Sequence, residues 1–120
     1  MQVPVIIAFD GVPESDAVQQ AARQHAAELE QFTDRITSCR VVIARPQHGS
    51  HQGDVYSVRI DLTVPREEIV VNRERRFDRS HEDVYVAMRD AFRAARRQLE
   101  DYVRRMRGEV KDHARTGSGD

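Results

Sequence analysis

Between residues 55 and 64, Tyr56, Val58, Ile60, Leu62 and Val64 alternate with Ser57, Arg59, Asp61 and Thr63. Side chains of a strand point to opposite faces in turn, so this run predicts a strand with one face on a core and one in water. Residues 36–45 repeat the pattern, with Cys39, Val41 and Ile43 on one face and Arg40, Val42 and Ala44 on the other. Residues 3–9 form an unbroken apolar run rich in β-branched residues, a buried strand with Pro4 tolerable near its start. A hairpin-sized connection at 65–68 leads to a fourth strand beginning at Ile69-Val-Val71. The charged stretch 73–79 leaves two alternatives open, a solvated strand end reaching Phe77 or a loop.

Two segments have helical period instead. Residues 14–31 place Val18, Ala21, Ala22, Leu29 and Phe32 on one stripe, with His25 among them. Pro13 suits the first turn, Glu14 and Asp16 favour its positive end, and Thr33-Asp34 stops the helix. Farther on, Ser80 is a candidate N-cap. After it Tyr85, Met88, Phe92, Ala95, Leu99, Tyr102 and Met106 recur at spacings of three and four. Gly108 is the expected stop, so residues 1–108 read as one domain and 109–120 as a polar, disordered tail. The order β-α-β-β-β-α predicts an α+β fold, a two-layer sandwich with both helices on one face of a four-stranded sheet.

Composition adds limits. The 120 residues are 39% hydrophobic and 32% charged, with mixed signs and a net charge of −1. This excludes a uniformly basic nucleic-acid binder, and the mixed charge argues against wholesale disorder. No apolar run approaches the ~20 residues of a membrane span, so no membrane association is expected. The N-terminal apolar run lacks a basic start and a cleavage site, so no signal peptide is expected. The single cysteine, Cys39, gives no disulfide framework and suits a reducing, cytoplasmic setting. On its strand Cys39 is expected to be buried and inert.

Charge is unevenly placed, and this changes the picture. Residues 84–108 hold seven arginines against three acids. At about 100° per residue, with Phe92 at zero, Arg89, Arg93, Arg96, Arg97, Arg104 and Arg107 fall between about +40° and +140°. Only Glu100 interrupts that flank. The other flank carries Ala91, Ala94 and Gln98, small enough to predict close approach of the first helix there. Arginine forks in a row match a phosphodiester backbone, and they match a solvated helix face equally. A second basic cluster comprises Arg73, Arg75, Arg76 and Arg79; the plainer reading is an edge strand kept soluble by charge.

Catalytic signals are weak. The serines lie in no strained-turn motif, and there is no phosphate loop and no H-E-x-x-H. His48-Gly-Ser-His51 with Asp54 offers too few ligands for a metal site, so no metal or other cofactor is expected. His25 reads as half-buried or interfacial, and His81 as a helix-start residue. No catalytic residue is assigned, and the chain is not expected to be an enzyme.

Three stretches in this order carry a resemblance. They are Leu29-Glu-Gln-Phe-Thr-Asp-Arg-Ile36, then His81-Glu-Asp-Val-Tyr85 with Ala87 and Met88, then Arg97-Gln-Leu99. Over residues 3–107 the chain resembles the ribosome hibernation-promoting factor and ribosome-associated translation inhibitor family, short type, and the resemblance implies a double-stranded-RNA-binding-like layout that uses helix faces. The resemblance implies a cytoplasmic stress factor that binds rRNA of the small ribosomal subunit in the channel used by mRNA and tRNA. It implies inhibition of translation in stationary phase or stress, with no covalent chemistry and no DNA. It makes Arg89, Arg93, Arg96, Arg97 and Arg104 candidate phosphate contacts, and Arg23 on the first helix a secondary one. It also implies that this short type, without the C-terminal dimerisation domain of long members, does not pair two ribosomes by that route. Two departures stand out. His25, Glu28, Gln19 and Gln24 occupy a helix where the family usually has several lysines, and the segment 71–80 is long. They leave an alternative from another class, a stress-associated protein-interaction module, as a homodimer, with weak or no rRNA binding.

Overall fold

The computed structural model describes residues 3–45, 54–77 and 82–117. His48, His51, Arg79, Ser80 and His81 lie outside the described residues. The elements are β1 (Val5–Asp10), α1 (Asp16–Phe32), β2 (Ser38–Ala44), β3 (Asp54–Val64), β4 (Glu67–Phe77) and α2 (Glu82–Gly117). This is the expected β-α-β-β-β-α order. The strands lie in the order β1-β2-β3-β4. β1 runs parallel to β2, and the other two pairings are antiparallel.

The alternation seen in the sequence sets the inner face. Cys39, Val41 and Ile43 of β2, five residues of β3 from Tyr56 to Val64, and Ile69 and Val71 of β4 are all buried. Their neighbours Arg40, Arg59, Thr63, Glu68 and Asn72 point to water. α2 lies over β3 and β4, while α1 lies by β1 and touches α2. The charged stretch resolves as strand: β4 pairs with β3 from Glu67 to Phe77, which carries Arg73, Arg75 and Arg76. Arg73 and Arg75 fall at the register positions that continue Ile69 and Val71, so the apolar alternation stops there while the backbone pairing with β3 goes on.

Helix boundaries differ from the sequence reading for local reasons. α1 starts two residues late because Ser15 is its N-cap, accepting a hydrogen bond from the Val18 N–H at 3.2 Å. α2 runs through Gly108 to Gly117. Gly108 therefore does not stop the helix; a Cβ there would meet nothing, so no packing demand made the glycine a terminus. Gly11 is a required glycine: its φ is +70° and a Cβ would lie 3.0 Å from the Arg45 carbonyl oxygen.

The β3–β4 turn is tighter than expected. Val64 pairs with Glu67, leaving Pro65 and Arg66 as the only corner residues. Proline fixes the first corner, and Arg66 takes φ +75°, a value that disfavours any residue with a Cβ. Arg66→Gly is expected to stabilise the fold by up to about 1 kcal/mol, read as a higher denaturant midpoint at unchanged slope.

Candidate nucleic-acid interface

α2 buries a broader and differently centred face than its large apolar residues suggest. With Phe92 at zero, the buried positions run from Phe92 through Leu99, Met88, Ala95, Tyr102 and Ala91 to about −160° at Ala94. The centre lies near −80°, at Val84 and Tyr102. Ala91 and Ala94 therefore belong to the core face of a helix lying over β3 and β4, and they are not the contact with α1 expected from their size. Tyr85, placed in the core stripe by its spacing, is 37% exposed and rims a second hollow with Phe9, Val12 and Tyr56.

Phe92 is thus one edge of the core, and α1 meets α2 at that edge. The His25 ring stacks on Phe92 with centroids 4.9 Å apart and planes within 16°. One turn on, the Arg96 guanidinium sits 4.5 Å above the centre of the Phe32 ring. Between the helices runs an open groove of about 540 Å³. Its apolar floor is Leu29 and Phe92; Arg89, Arg93, Arg96 and Arg97 line one side, His25 and Glu28 the other.

Four of the candidate arginines are therefore brought together, but they are not equally free. Arg96 donates to the Glu100 carboxylate at 3.1 Å, and Arg89 lies 3.7 Å from that of Asp90. These pairs are solvent-exposed, hold their side chains weakly and yield readily to a phosphate. Arg93 and Arg97, one turn apart, are exposed and have no ion pair among the described residues.

The remaining candidates sit elsewhere. Arg104 donates to Asp101 at 3.0 Å and Arg107 is exposed farther along the helix; neither lines the groove. Arg105, on the other side of α2, spans to both carboxylate oxygens of Glu67 at 3.1 and 3.2 Å and holds that carboxyl below its usual range. Arg23 lies on the side of α1 away from the groove and donates to the Val5 carbonyl at 3.4 Å. Arg73 is exposed on β4, on the sheet.

His25 and Glu28 are the groove residues that sequence reasoning did not count as binding groups. Phe32 was read only as core. The signal for Phe32 under Arg96 is the register between two helices, which a single sequence does not carry. Burial pushes the His25 imidazole below its ordinary value, and the Glu28 carboxylate 3.9 Å away opposes that in part. Cys39, as expected, is buried; burial, with Glu30 and Asp61 adding, pushes its thiol up to about 12 and leaves it unreactive. Among the described residues, no group of three or more His, Cys, Asp or Glu could hold a metal ion. Nor is any helix among them long and apolar enough to cross a membrane.

Comparison with known proteins adds a family. The family model described as sigma 54 modulation protein / S30EA ribosomal protein matches residues 5–107. Among solved structures, a ribosomal subunit interface protein from Coxiella burnetii superposes with a TM-score of 0.67 at 15% identity, covering 83% of this chain and 97% of that one. The N-terminal domain of Protein Y from Thermus thermophilus gives 0.65 at 16% identity, covering 83% and 99%. At such identities the two structures speak to the fold. No curated protein sequence matches the chain.

Proposed function

Because this chain belongs to the sigma 54 modulation protein / S30EA ribosomal protein family, we propose that it binds rRNA of the small ribosomal subunit and inhibits translation. The site is near the channel for mRNA and tRNA, and the setting is stationary phase or stress. The binding unit is residues 1–108. The observation that carries this reading is the groove wall of Arg89, Arg93, Arg96 and Arg97, with Arg93 and Arg97 exposed and unpaired among the described residues. A net charge of −1 does not oppose it, since phosphate meets the local field of four guanidinium groups and not the sum over the chain. Arg104 and Arg107 extend the basic track along α2; Arg23 plays a lesser part because it lies on the side of α1 away from the groove, and Arg73, Arg75 and Arg76 form a secondary basic cluster on β4.

Phosphate binding by arginine releases counterions, so affinity falls with salt. Four contacts give a slope of about −3 in log K against log salt, a loss of about 50- to 100-fold between 50 and 200 mM. Co-sedimentation with purified small subunits at those two concentrations reads this directly. Binding that is tight and indifferent to salt would contradict an arginine–phosphate interface.

A second reading has one observation in its favour. Arg89, Arg96 and Arg104 already lie against carboxylates, which lowers the free positive charge. On that reading the fold serves protein contacts, as a homodimer, with little rRNA affinity. Light scattering after size exclusion, with no co-sedimentation at low salt, would favour it.

A further inference from the structure

We propose that His25 is a phosphate-contacting residue of the groove, protonated when RNA is bound, so that binding by this protein takes up a proton and tightens as pH falls. The inference rests on the rRNA-binding reading and names how the same site is regulated.

The geometry comes first. His25 lines the groove opposite Arg93 and Arg97, and its ring lies flat on Phe92. Phe92 is buried, so this stack fixes the plane of the imidazole and leaves its edge to the groove. The side chain is 31% exposed, so part of the ring is open to solvent on the groove. The ionisable groups lining the groove with it are Glu28 of its own helix and Arg89, Arg93, Arg96 and Arg97 of α2. Among the described residues, none of the sheet lines the groove.

That set of charges has a consequence. Among the described residues Glu28 is the one anion in the groove lining, and it stands against an incoming phosphate. In the free protein His25 is neutral at pH 7, because burial lowers its pKa. A neutral imidazole offsets nothing of Glu28. A phosphate bound across the groove adds a second negative charge close to the ring and favours the imidazolium. The bound state then holds more protons than the free state. Affinity therefore rises as pH falls through the window whose upper edge is the bound-state pKa and whose lower edge is the lowered free-state pKa. Each unit between those edges is worth up to tenfold in affinity, so about fivefold is expected between pH 7.2 and 6.0.

Three measurements decide it. Small-subunit affinity of the whole chain is measured from pH 6.0 to 7.2 at fixed ionic strength, for the native protein, His25→Gln and Glu28→Gln. The native protein is expected to gain about fivefold, His25→Gln to be flat, and Glu28→Gln to bind more tightly at every pH. Independently of ribosomes, the His25 imidazole is titrated by NMR in phosphate and in chloride of equal ionic strength. Its pKa is expected to be higher in phosphate. Binding that is salt-sensitive but flat with pH in the native protein overturns the proton linkage and leaves the rRNA interface standing. An equal pH response in His25→Gln does the same. A His25 pKa that is identical in phosphate and chloride also overturns it, whatever the ribosome result. Absence of binding at every pH removes the interface and the linkage together.

Discussion

Reversing Arg93 and Arg97 together to glutamate is expected to abolish co-sedimentation with small ribosomal subunits, an affinity loss of about a thousandfold. The two residues are the exposed pair of the groove wall without an ion pair among the described residues. Reversal removes two of four phosphate contacts and puts two carboxylates beside the phosphates, where like charges cost several kcal/mol. Residual binding at low salt should show about half the native salt slope, since the slope counts contacts. Folding should hardly change, because both side chains are in water and surface substitutions of this kind stay within about 0.5 kcal/mol. The control is Arg40→Glu with Arg59→Glu. It changes the net charge equally, but on the sheet face that points away from the helices. That variant should lose only a few-fold through the long-range field. Equal losses in the two double variants would mean that the groove is not the interface.

Tyr102→Ala is expected to lower stability by about 3–5 kcal/mol, enough to unfold much of the population near 37 °C. Among the described residues Tyr102 is the largest fully buried side chain, at the centre of the face that α2 presents to the sheet. Its hydroxyl donates to the Pro65 carbonyl at 3.0 Å, tying the helix to the β3–β4 turn. Arg105 stands 5.9 Å from the ring centre and clasps Glu67, just past the same turn. Removing the ring leaves a void where three elements meet, and a rigid helix over a paired sheet cannot close it. Tyr102→Phe separates the two roles. It keeps the packing, and because Pro65 is exposed, water can take the lost hydrogen bond; about 0.5–1.5 kcal/mol should go. For a domain of this size that is roughly 3–8 °C in Tm for Phe, against about 15 °C or more for Ala. Thermal and urea melts followed by circular dichroism check both. A Tyr102→Ala variant as stable as Tyr102→Phe would show that the core is not built on this contact.

The parts of the fold that followed from sequence are those whose burial alternates with a single period. β3 is the plainest, because every second residue faces the helices. β4 was ambiguous beyond Asn72, since an edge strand need not carry apolar residues to keep its backbone paired. The buried face of α2 is centred about 50° from the mean of the stripe read in the sequence, because that stripe followed mainly the large residues, while Ala87, Ala91 and Ala94 also fill the close approach to the sheet. The arginine flank survived that error, because the arginines' spacing relative to Phe92 does not depend on where the core centre lies. Which of them cooperate did depend on it. The shift put Arg89, Arg93, Arg96 and Arg97 on the α1 side and made them one wall of a groove. Helical spacing already puts Arg23 on the flank of α1 opposite His25 and Glu28; what it does not carry is which of those flanks meets α2.

The parallel pairing of β1 with β2 bears on the order in which the molecule assembles. Val5 must find Cys39 across the whole of α1, whereas β3 and β4 close on a two-residue corner. Closing the longer loop costs more entropy before any hydrogen bond offsets it. β1 also sits at the sheet's margin with one neighbour, and Ile6 is left 57% exposed. β1 is made before β2, its one sheet partner, so it pairs late. Until β2 has emerged, the apolar run of β1 has no strand to pair with, which leaves it open to wrong contacts during synthesis.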